Sequence, residues 1–341
     1  MRRALERLLT RHAGVSVVGQ APDGVEAVKQ ALALRPDVIT MDVEMPRMDG
    51  VAAVAEIMQA VPTPIVMVST LTNAGTETAI RALEAGAVEC IGKPSGLSSD
   101  LENVGENLLQ AVTRASVARV QRRRPQPAPL RQASAISVRP PSSTGGMLTA
   151  HNLLVIGSST GGPPALTEVV PQLPGDLPAA VIVVQHMPAG FTGALARRLD
   201  TLSPMGVAEA VDGEPILNGR VYVAPGDFHL AIGKDRRIHL NQDSPMHGVR
   251  PSVDITLFSA AEVFGRAANV AILTGMGRDG AEGAARLEAA GGKVITQDEA
   301  TCVVYGMPRV TFEKTRTAVQ VPLEHVARAL VATLPAARLN R

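Results

Sequence analysis

The sequence predicts an α/β fold in two parts, each with helices packed on a mostly parallel β-sheet. Three continuous apolar runs rich in Val and Ile lie at residues 153–156, 181–184 and 270–273. Each run ends at glycine or polar residues, which is typical of buried parallel strands. Further runs of a similar kind end at Asp42, Ser69 and Lys93. A chain of 341 residues is also long enough for about two domains.

A composition break separates the two parts. Residues 118–149 are rich in Pro, Arg and Ser and have little periodic apolar pattern, so we predict a flexible linker there. The domains are then residues 1–117 and 150–341. Residues 142–146 repeat the five residues of 158–162, but no strand precedes the first copy. We therefore reject Ser143 as a functional serine.

The first domain is predicted to alternate strands and helices, as a doubly wound sheet short of one strand. The chain begins in what we interpret as a helix, with Leu5 and Leu9 on one face. Later helices are predicted at 50–60, 75–86 and 98–117. The second domain is predicted to be a doubly wound, mostly parallel sheet. Its helices begin near Pro163, Gly190, Ser252, Gly280 and Leu323. Strands near 206–211, 220–224, 228–232 and 237–241 indicate a local antiparallel addition.

Three polar motifs follow the long apolar runs of the second domain. They are Gly157-Ser158-Ser159-Thr160-Gly161-Gly162, Gln185-His186-Met187-Pro188 and Gly275-Met276-Gly277-Arg278-Asp279-Gly280. Open α/β sheets bind ligands beyond the carboxyl ends of their strands, where Ser, His and Asp would form an acyl-transfer triad. Taken singly, a serine here is more often a helix cap or part of an anion-binding loop, His186 an ordinary strand-end histidine, and Asp279 a cap. Only their conjunction predicts a serine hydrolase.

These motifs resemble those of chemotaxis protein-glutamate methylesterases, the CheB family. The similarity covers almost all of residues 150–322 and includes 222–230, 250–254 and 304–308. It implies that Ser159 is the nucleophile, His186 the base and Asp279 the orienting acid, with Thr160 and Met276 at the oxyanion hole. The implied reaction is hydrolysis of glutamate γ-methyl esters on chemoreceptors, with deamidation of receptor glutamines as a second activity and no cofactor. Two alternatives are a non-catalytic adaptor and an esterase for a small-molecule ester.

The first domain resembles a response-regulator receiver domain, which has a flavodoxin-like fold. The likeness rests on a carboxylate, a hydroxyl and an ammonium at successive strand ends. It implies that Asp42 is the phosphoacceptor, Ser69 the switch hydroxyl and Lys93 the charge partner. The phosphodonor would be a chemotaxis histidine kinase, and Mg²⁺ would assist, with the backbone carbonyl of Glu44 as one ligand.

One departure from the receiver pattern concerns the metal. Receivers have a first strand ending in two acidic residues before the first helix, and no such strand precedes the helix at residues 1–9. We expect a start codon assigned too late, so that a longer product restores the strand. If the short form is the true product, we expect Mg²⁺-dependent phosphorylation of Asp42 to be weak.

Composition excludes several other classes of protein. A net charge of +1 is not that of a nucleic-acid or membrane-surface protein. Two cysteines, Cys90 and Cys302, make no disulfide framework and lack metal-ligand spacing, which indicates a reducing compartment. No apolar run approaches the ~20 residues that span a bilayer. We predict a cytoplasmic monomer that binds receptors and a kinase, but no nucleic acid and no membrane.

Overall fold

A computed structural model of the chain describes residues 2–12, 14–70, 72–93, 100–120 and 148–335. Most of the predicted linker, including Ser143, lies outside these ranges. Within them, helices alternate with strands in both halves of the chain, so the predicted α/β fold is confirmed. No described helix is both long and apolar enough to cross a membrane.

The first domain has a small parallel sheet with the strand order β1-β2-β3. Its elements are α1 (Arg2–Leu9), α2 (Gly24–Leu34), β1 (Ile39–Asp42), α3 (Gly50–Ala60), β2 (Ile65–Ser69), α4 (Asn73–Ala85), β3 (Glu89–Gly92) and α5 (Asp100–Ser116). The three predicted helices, 50–60, 75–86 and 98–117, are therefore confirmed as α3, α4 and α5. Their ends differ from the prediction by at most two residues.

This sheet is smaller than predicted, because one further strand is missing. β1 pairs only with β2 in the described chain, and residues 15–18 run extended without forming a strand. A cleft of about 650 Å³ is lined by both residues 14–20 and β1. A β-strand needs a neighbouring strand to which its backbone can hydrogen-bond. Residues 15–18 face a cleft and have no such neighbour in the described chain, so they do not form a strand.

The second domain carries a seven-stranded parallel sheet and a two-stranded antiparallel sheet. Its elements are β4 (Leu153–Ser158), α6 (Gly162–Val169), β5 (Ala180–Gln185), α7 (Phe191–Leu202), β6 (Gly206–Glu209), β7 (Arg220–Val223), β8 (His229–Ile232), β9 (Ile238–Asn241), α8 (Val253–Phe264), β10 (Ala268–Ile272), α9 (Ala281–Ala289), β11 (Val294–Gln297), α10 (Met307–Lys314), β12 (Val319–Val321) and α11 (Leu323–Ala332).

The large sheet has the order β12-β11-β10-β4-β5-β7-β6. The chain passes from β4 to β5 on one side and later returns to β10 on the other. β4 and β10 therefore flank the point where the strand order reverses, and ligands bind in the crevice at such a point. The three polar motifs of the sequence follow β4, β5 and β10, which are adjacent. Fold topology brings their three polar residues to one edge of the sheet.

The predicted antiparallel addition is half wrong. β8 and β9 do form an antiparallel pair, but β6 and β7 are parallel strands of the main sheet. β7 pairs with β5, with Val181 opposite Val221. The error has a physical origin: a short apolar run signals a strand but carries no information on the direction of its neighbour. The connection between these two parallel strands, residues 210–219, carries the chain back along the sheet without a helix.

The two domains share a core. One cluster of buried apolar residues includes Met58 and Leu83 of the first domain and Leu154 and Phe191 of the second. α4 packs against α6 and α7 across the boundary. The first domain therefore lies against the side of the second domain that carries the helix after β4.

Candidate active site

Ser159 follows directly after β4, and the loop after β10 holds its backbone. Its N–H donates to the Thr274 carbonyl at 3.0 Å, and its carbonyl accepts from the Gly162 N–H at 2.7 Å. A Cβ at Gly275 would lie 2.8 Å from the Ser159 Cβ, so only glycine allows this close approach of the two loops. The Ser159 side chain lies at the edge of the crevice, since the residue is 8% exposed.

His186 follows directly after β5 and lies beside Ser159. Its N–H donates to the Ser158 carbonyl at 3.0 Å, which ties the two strand ends together. Its Nε2 lies 2.7 Å from Asp279 Oδ2. Since Nε2 is used in this way, Nδ1 is the ring nitrogen left for the serine hydroxyl. In the described chain Ser159 Oγ makes no hydrogen bond to His186, and such contacts are often loose in the absence of substrate.

Asp279 is held by a set of donors from the start of α8. Ser252 Oγ donates to Oδ1 at 2.7 Å, the Val253 N–H to Oδ2 at 2.7 Å and the Asp254 N–H to Oδ1 at 3.0 Å. Burial opposes ionisation of this carboxyl, but the hydrogen bonds and the charge of His186 outweigh it and lower its pKa to about 2. Asp279 is therefore a fixed anion opposite the imidazole.

A second buried carboxylate lies behind Asp279. Asp254 accepts a hydrogen bond from the Gly283 N–H at 2.6 Å, and its Oδ2 lies 2.9 Å from His247 Nε2. Burial raises the pKa of Asp254, and the neighbouring charge of Asp279 raises it further. His247, Asp254 and Asp279 form the one cluster in the described residues with a spacing that suits a metal ion. Protein donors already bind the carboxylate oxygens of Asp254 and Asp279, so we assign no metal here.

Two backbone amides next to Ser159 are free to bind a ligand. The N–H groups of Thr160 and Met276 donate to no protein acceptor within the described part of the chain. The Thr160 carbonyl is held by Thr274 Oγ1 at 2.9 Å, so the Thr160 backbone is fixed on one side. Met276 is 39% exposed at the crevice mouth.

The two cysteines lie outside this chemistry. Cys90 and Cys302 are both free and buried. Burial raises the pKa of both thiols, that of Cys302 to about 12. A thiol of this kind is a poor nucleophile because the thiolate is the reactive form.

The polar strand ends of the first domain meet only in part. Lys93 Nζ lies 2.7 Å from Asp42 Oδ1, which also accepts the Glu44 N–H at 3.1 Å. Ser69 Oγ is buried and donates to the Gly75 carbonyl in α4 at 2.8 Å. The structure therefore brings Asp42 and Lys93 into contact. The Ser69 hydroxyl is instead hydrogen-bonded to the backbone of α4.

The residues around Asp42 do not fit Mg²⁺. The described chain brings no cluster of acidic groups to this end of β1. One carboxylate, already paired with a lysine, is a poor ligand set for an ion that prefers several oxygen ligands. The backbone carbonyl of Glu44 would add one more oxygen at most. We therefore derive no step through a metal.

The first domain lies directly on the Ser159 loop. The Gly161 N–H donates to the Val88 carbonyl at 3.1 Å, and Thr160 Oγ1 donates to Glu89 Oε2 at 3.3 Å. A further contact joins the Arg119 N–H to the Val303 carbonyl at 2.7 Å. Residues next to the candidate nucleophile are therefore covered by the first domain in this arrangement.

Comparison with known proteins places this chain in a family. The profile of the CheB methylesterase family matches residues 154–330, and that of the response regulator receiver domain matches residues 1–104. The chain belongs to the CheB methylesterase family.

Relatives of this CheB chain match it over nearly its whole length. A protein-glutamate methylesterase/protein-glutamine glutaminase of Symbiobacterium thermophilum is 45% identical and covers 97% of this chain and 93% of its own. A second protein of that name, from Pseudomonas aeruginosa, is 42% identical over 97% of this chain and 93% of its own. The crystal structure of the Thermotoga maritima CheB methylesterase catalytic domain is 43% identical, with a TM-score of 0.52, and covers 55% of this chain and 100% of that one.

Several residues of the candidate site lie in the recognised motifs, but the sequence assigned them no role. Ser252 and Asp254 hold Asp279 across 25 or more positions, and Gln185 binds three groups on two strand ends. A sequence motif does not show which of its side chains point into the site and which groups they contact. Of the predicted residues, the structure brings His186 and Asp279 into contact beside Ser159, and Lys93 into contact with Asp42.

Proposed function

We propose that this chain is a serine hydrolase that removes methyl groups from glutamate γ-methyl esters of chemoreceptors and deamidates receptor glutamines. The observation that carries the proposal is the buried His186–Asp279 pair beside Ser159, at the point where the strand order of the sheet reverses. The same chemistry serves both substrates, since an ester and a primary amide differ only in the leaving group.

In the acylation step Ser159 Oγ attacks the carbonyl carbon while His186 Nδ1 takes its proton. Asp279 stabilises the imidazolium and holds the ring through Nε2. The free N–H groups of Thr160 and Met276 stabilise the oxyanion; such a donor contributes roughly 10²–10³-fold in rate. Collapse of the intermediate transfers the proton to the leaving group and releases methanol or ammonia.

In the deacylation step a water molecule gives a proton to His186 and attacks the acyl-serine. Collapse breaks the bond to Ser159 Oγ, which recovers its proton from the imidazolium, and a receptor glutamate is released. The overall reaction is hydrolysis, and it needs no cofactor because each proton passes through His186.

Phosphorylation of Asp42 by a chemotaxis histidine kinase is the proposed control. Lys93 already contacts Asp42 and can bind a phosphoryl oxygen there. The Ser69 hydroxyl can bind another phosphoryl oxygen only if its hydrogen bond to the Gly75 carbonyl breaks. Gly75 lies in α4, the helix that packs on α6 and α7. Release of this bond would therefore loosen the contact of the first domain with the catalytic domain.

We also propose that the protein is a cytoplasmic monomer, with receptors and a kinase as partners.

A methanol-release assay tests the function. Methylated receptor is the substrate, a small methyl ester is the control substrate, and Ser159→Ala is the control protein. We expect the wild-type protein to release methanol from the methylated receptor and the Ser159→Ala protein to release none. Release only from the small ester would favour the small-molecule esterase, and release from neither would favour the non-catalytic adaptor.

A further inference from the structure

Gln185 is a buried amide at the centre of the candidate active site. It is the last residue of β5 and is 2% exposed. Its Oε1 accepts a hydrogen bond from Ser158 Oγ at 2.7 Å. Its Nε2 donates to two backbone carbonyls, those of Ser159 and His186, each at 2.9 Å. One side chain thus binds the backbone of both the nucleophile and the base.

The orientation of this amide is determined by its partners. The carbonyl oxygens of Ser159 and His186 can only accept hydrogen bonds, so the NH₂ group of Gln185 must face them. The Ser158 hydroxyl can donate and therefore suits Oε1. The space for the amide is provided by Gly162, because a Cβ at that position would collide with Gln185 Oε1. Both hydrogens and the oxygen of the amide are used.

We propose that Gln185 is a positioning residue that aims the Thr160 N–H at the oxyanion. The Ser159 carbonyl and the Thr160 N–H belong to one planar trans peptide unit, so they point in opposite directions. Gln185 Nε2 and the Gly162 N–H both hold the carbonyl toward the protein interior. The Thr160 N–H is thereby turned away from them, and it has no protein acceptor in the described chain.

The second donor bond of Gln185 couples this orientation to the base. The His186 carbonyl is held by the same nitrogen that holds the Ser159 carbonyl, so the two residues cannot shift independently. Loss of the NH₂ group would leave the Gly162 N–H as the one described donor to the Ser159 carbonyl, so the Ser159–Thr160 peptide could tilt between its flanking contacts to Thr274. This tilt would raise the energy of the transition state more than that of the bound substrate, because the oxyanion donor stabilises the charge that develops on oxygen.

Gln185→Met in the full chain tests this role, which rests on the proposed hydrolase function. The variant keeps the length of the side chain and removes both donors. We expect kcat for methanol release from methylated receptor to fall about 10- to 100-fold, with KM changed less than about two-fold. The rate at which a fluorophosphonate ester labels Ser159, followed by intact mass, should fall by a similar factor. That second readout depends on the serine and the oxyanion donors but not on the receptor.

Asn269→Leu is the matched control. It removes another buried amide, whose Oδ1 accepts the Lys293 N–H at 2.9 Å at the opposite end of the sheet. We expect it to lower the melting temperature while leaving kcat and the labelling rate close to wild type. Gln185→Glu, which keeps the shape and replaces both donors by acceptors, is the second variant and should resemble Gln185→Met.

The outcomes separate this inference from the function on which it rests. Wild-type kcat and labelling rates in either folded Gln185 variant would overturn the positioning role, as would an equal loss in Asn269→Leu. Labelled Ser159 without methanol release would overturn the proposed substrate alone. In wild-type protein the Gln185 side-chain NH₂ protons should exchange slowly with deuterium. Fast exchange would overturn the role even if neither variant folds.

Discussion

Ser158 ends β4 and Ser159 follows it, and the surroundings of the two serines differ. Ser158 is fully buried, and its Oγ donates to Gln185 Oε1. Ser159 Oγ makes no protein hydrogen bond in the described chain, and the residue borders the crevice. We predict that Ser159→Ala lowers methanol release by a factor on the order of 10⁴–10⁶, because members of a triad act as a unit. Ser158→Ala should reduce it far less.

Steady-state assays of the two alanine variants check this prediction. Ser143→Ala, in the linker copy of the motif, should leave activity unchanged. Substantial activity in folded Ser159→Ala would assign the nucleophile to another residue.

The low pKa of Asp279 predicts a particular dependence of stability on pH. A carboxyl with a folded-state pKa near 2 and an ordinary value of 3.8 stabilises the fold above pH ~4. That stability is lost as the pH falls toward 2, and the shift corresponds to about 2 kcal/mol. The difference in unfolding free energy between wild type and Asp279→Asn should therefore shrink by about this amount between pH ~5 and pH ~2. Urea unfolding at several pH values measures it.

Asp254 supplies a control of opposite sign. Its pKa is raised by burial, so its titration destabilises the fold as the pH rises from its unfolded value through its folded value. The advantage of wild type over Asp254→Asn should decrease as the pH rises through that interval. If both variants show the same slope, the two carboxyls do not differ in the way described.

The sequence predicted the residues at strand ends better than the residues that hold them. Ser159, His186 and Asp279 each follow an apolar run, and a run of that kind can be read without knowing the fold. Gln185 and Ser252 act through contacts between loops that only the strand order brings together. Asp254 lies in the first turn of α8, where an acidic residue usually signals no more than a favourable helix start.

At the scale of elements, most helices were predicted because caps and glycines mark their ends, whereas α2 and α10 were not predicted. α3, for example, begins after Asp49, whose side chain accepts the Ala52 N–H. Strand partners were not predictable in the same way. The sequence predicts β6 and β7 as part of an antiparallel addition, but both run parallel to β5. The direction of a strand is set by the path of the connecting chain, which the apolar pattern does not show. Residues 15–18 lacked the neighbour that makes an extended segment a strand.

The contact between α4 and α7 predicts a charge-reversal effect. Arg198 Nε lies 2.6 Å from Glu84 Oε1, and both side chains are partly buried at the domain boundary. Glu84→Arg places two cations together and should weaken docking of the first domain. We expect basal methanol release to rise about two- to five-fold, the scale of a partly exposed ion pair.

The restoring variant distinguishes this charge effect from general damage. Glu84→Arg combined with Arg198→Glu should return basal activity close to wild type. The same exchange at Glu77 and Arg197, whose side chains are more than half exposed, should have a smaller effect. A double variant as active as Glu84→Arg alone would show that the pair does not govern docking.

At the scale of the whole molecule, the first domain covers the surroundings of the candidate nucleophile. The Val88 carbonyl takes the Gly161 N–H, and Glu89 accepts a hydrogen bond from Thr160. We predict that a receptor segment displaces these contacts when it reaches Ser159. Phosphorylation of Asp42 can favour the open arrangement only by interacting differently with the two arrangements. A coupling of ~1–3 kcal/mol, or about 5–150-fold in activity, is typical of such control.

Deletion of residues 1–148 tests this arrangement directly. The fragment 149–341 retains β4 to α11 and the full set of groups around Ser159, and the crystal structure of the related Thermotoga maritima domain covers a comparable unit. We predict that its basal methanol release exceeds that of the full chain by a factor within that range, and that a small phosphodonor does not change it. The full chain assayed at equal concentration is the control. The newly exposed apolar surface should also lower the melting temperature, because the shared core that contains Leu83 and Phe191 is divided. A folded fragment no more active than the full chain would contradict occlusion, and the first domain would then act by recruiting the receptor.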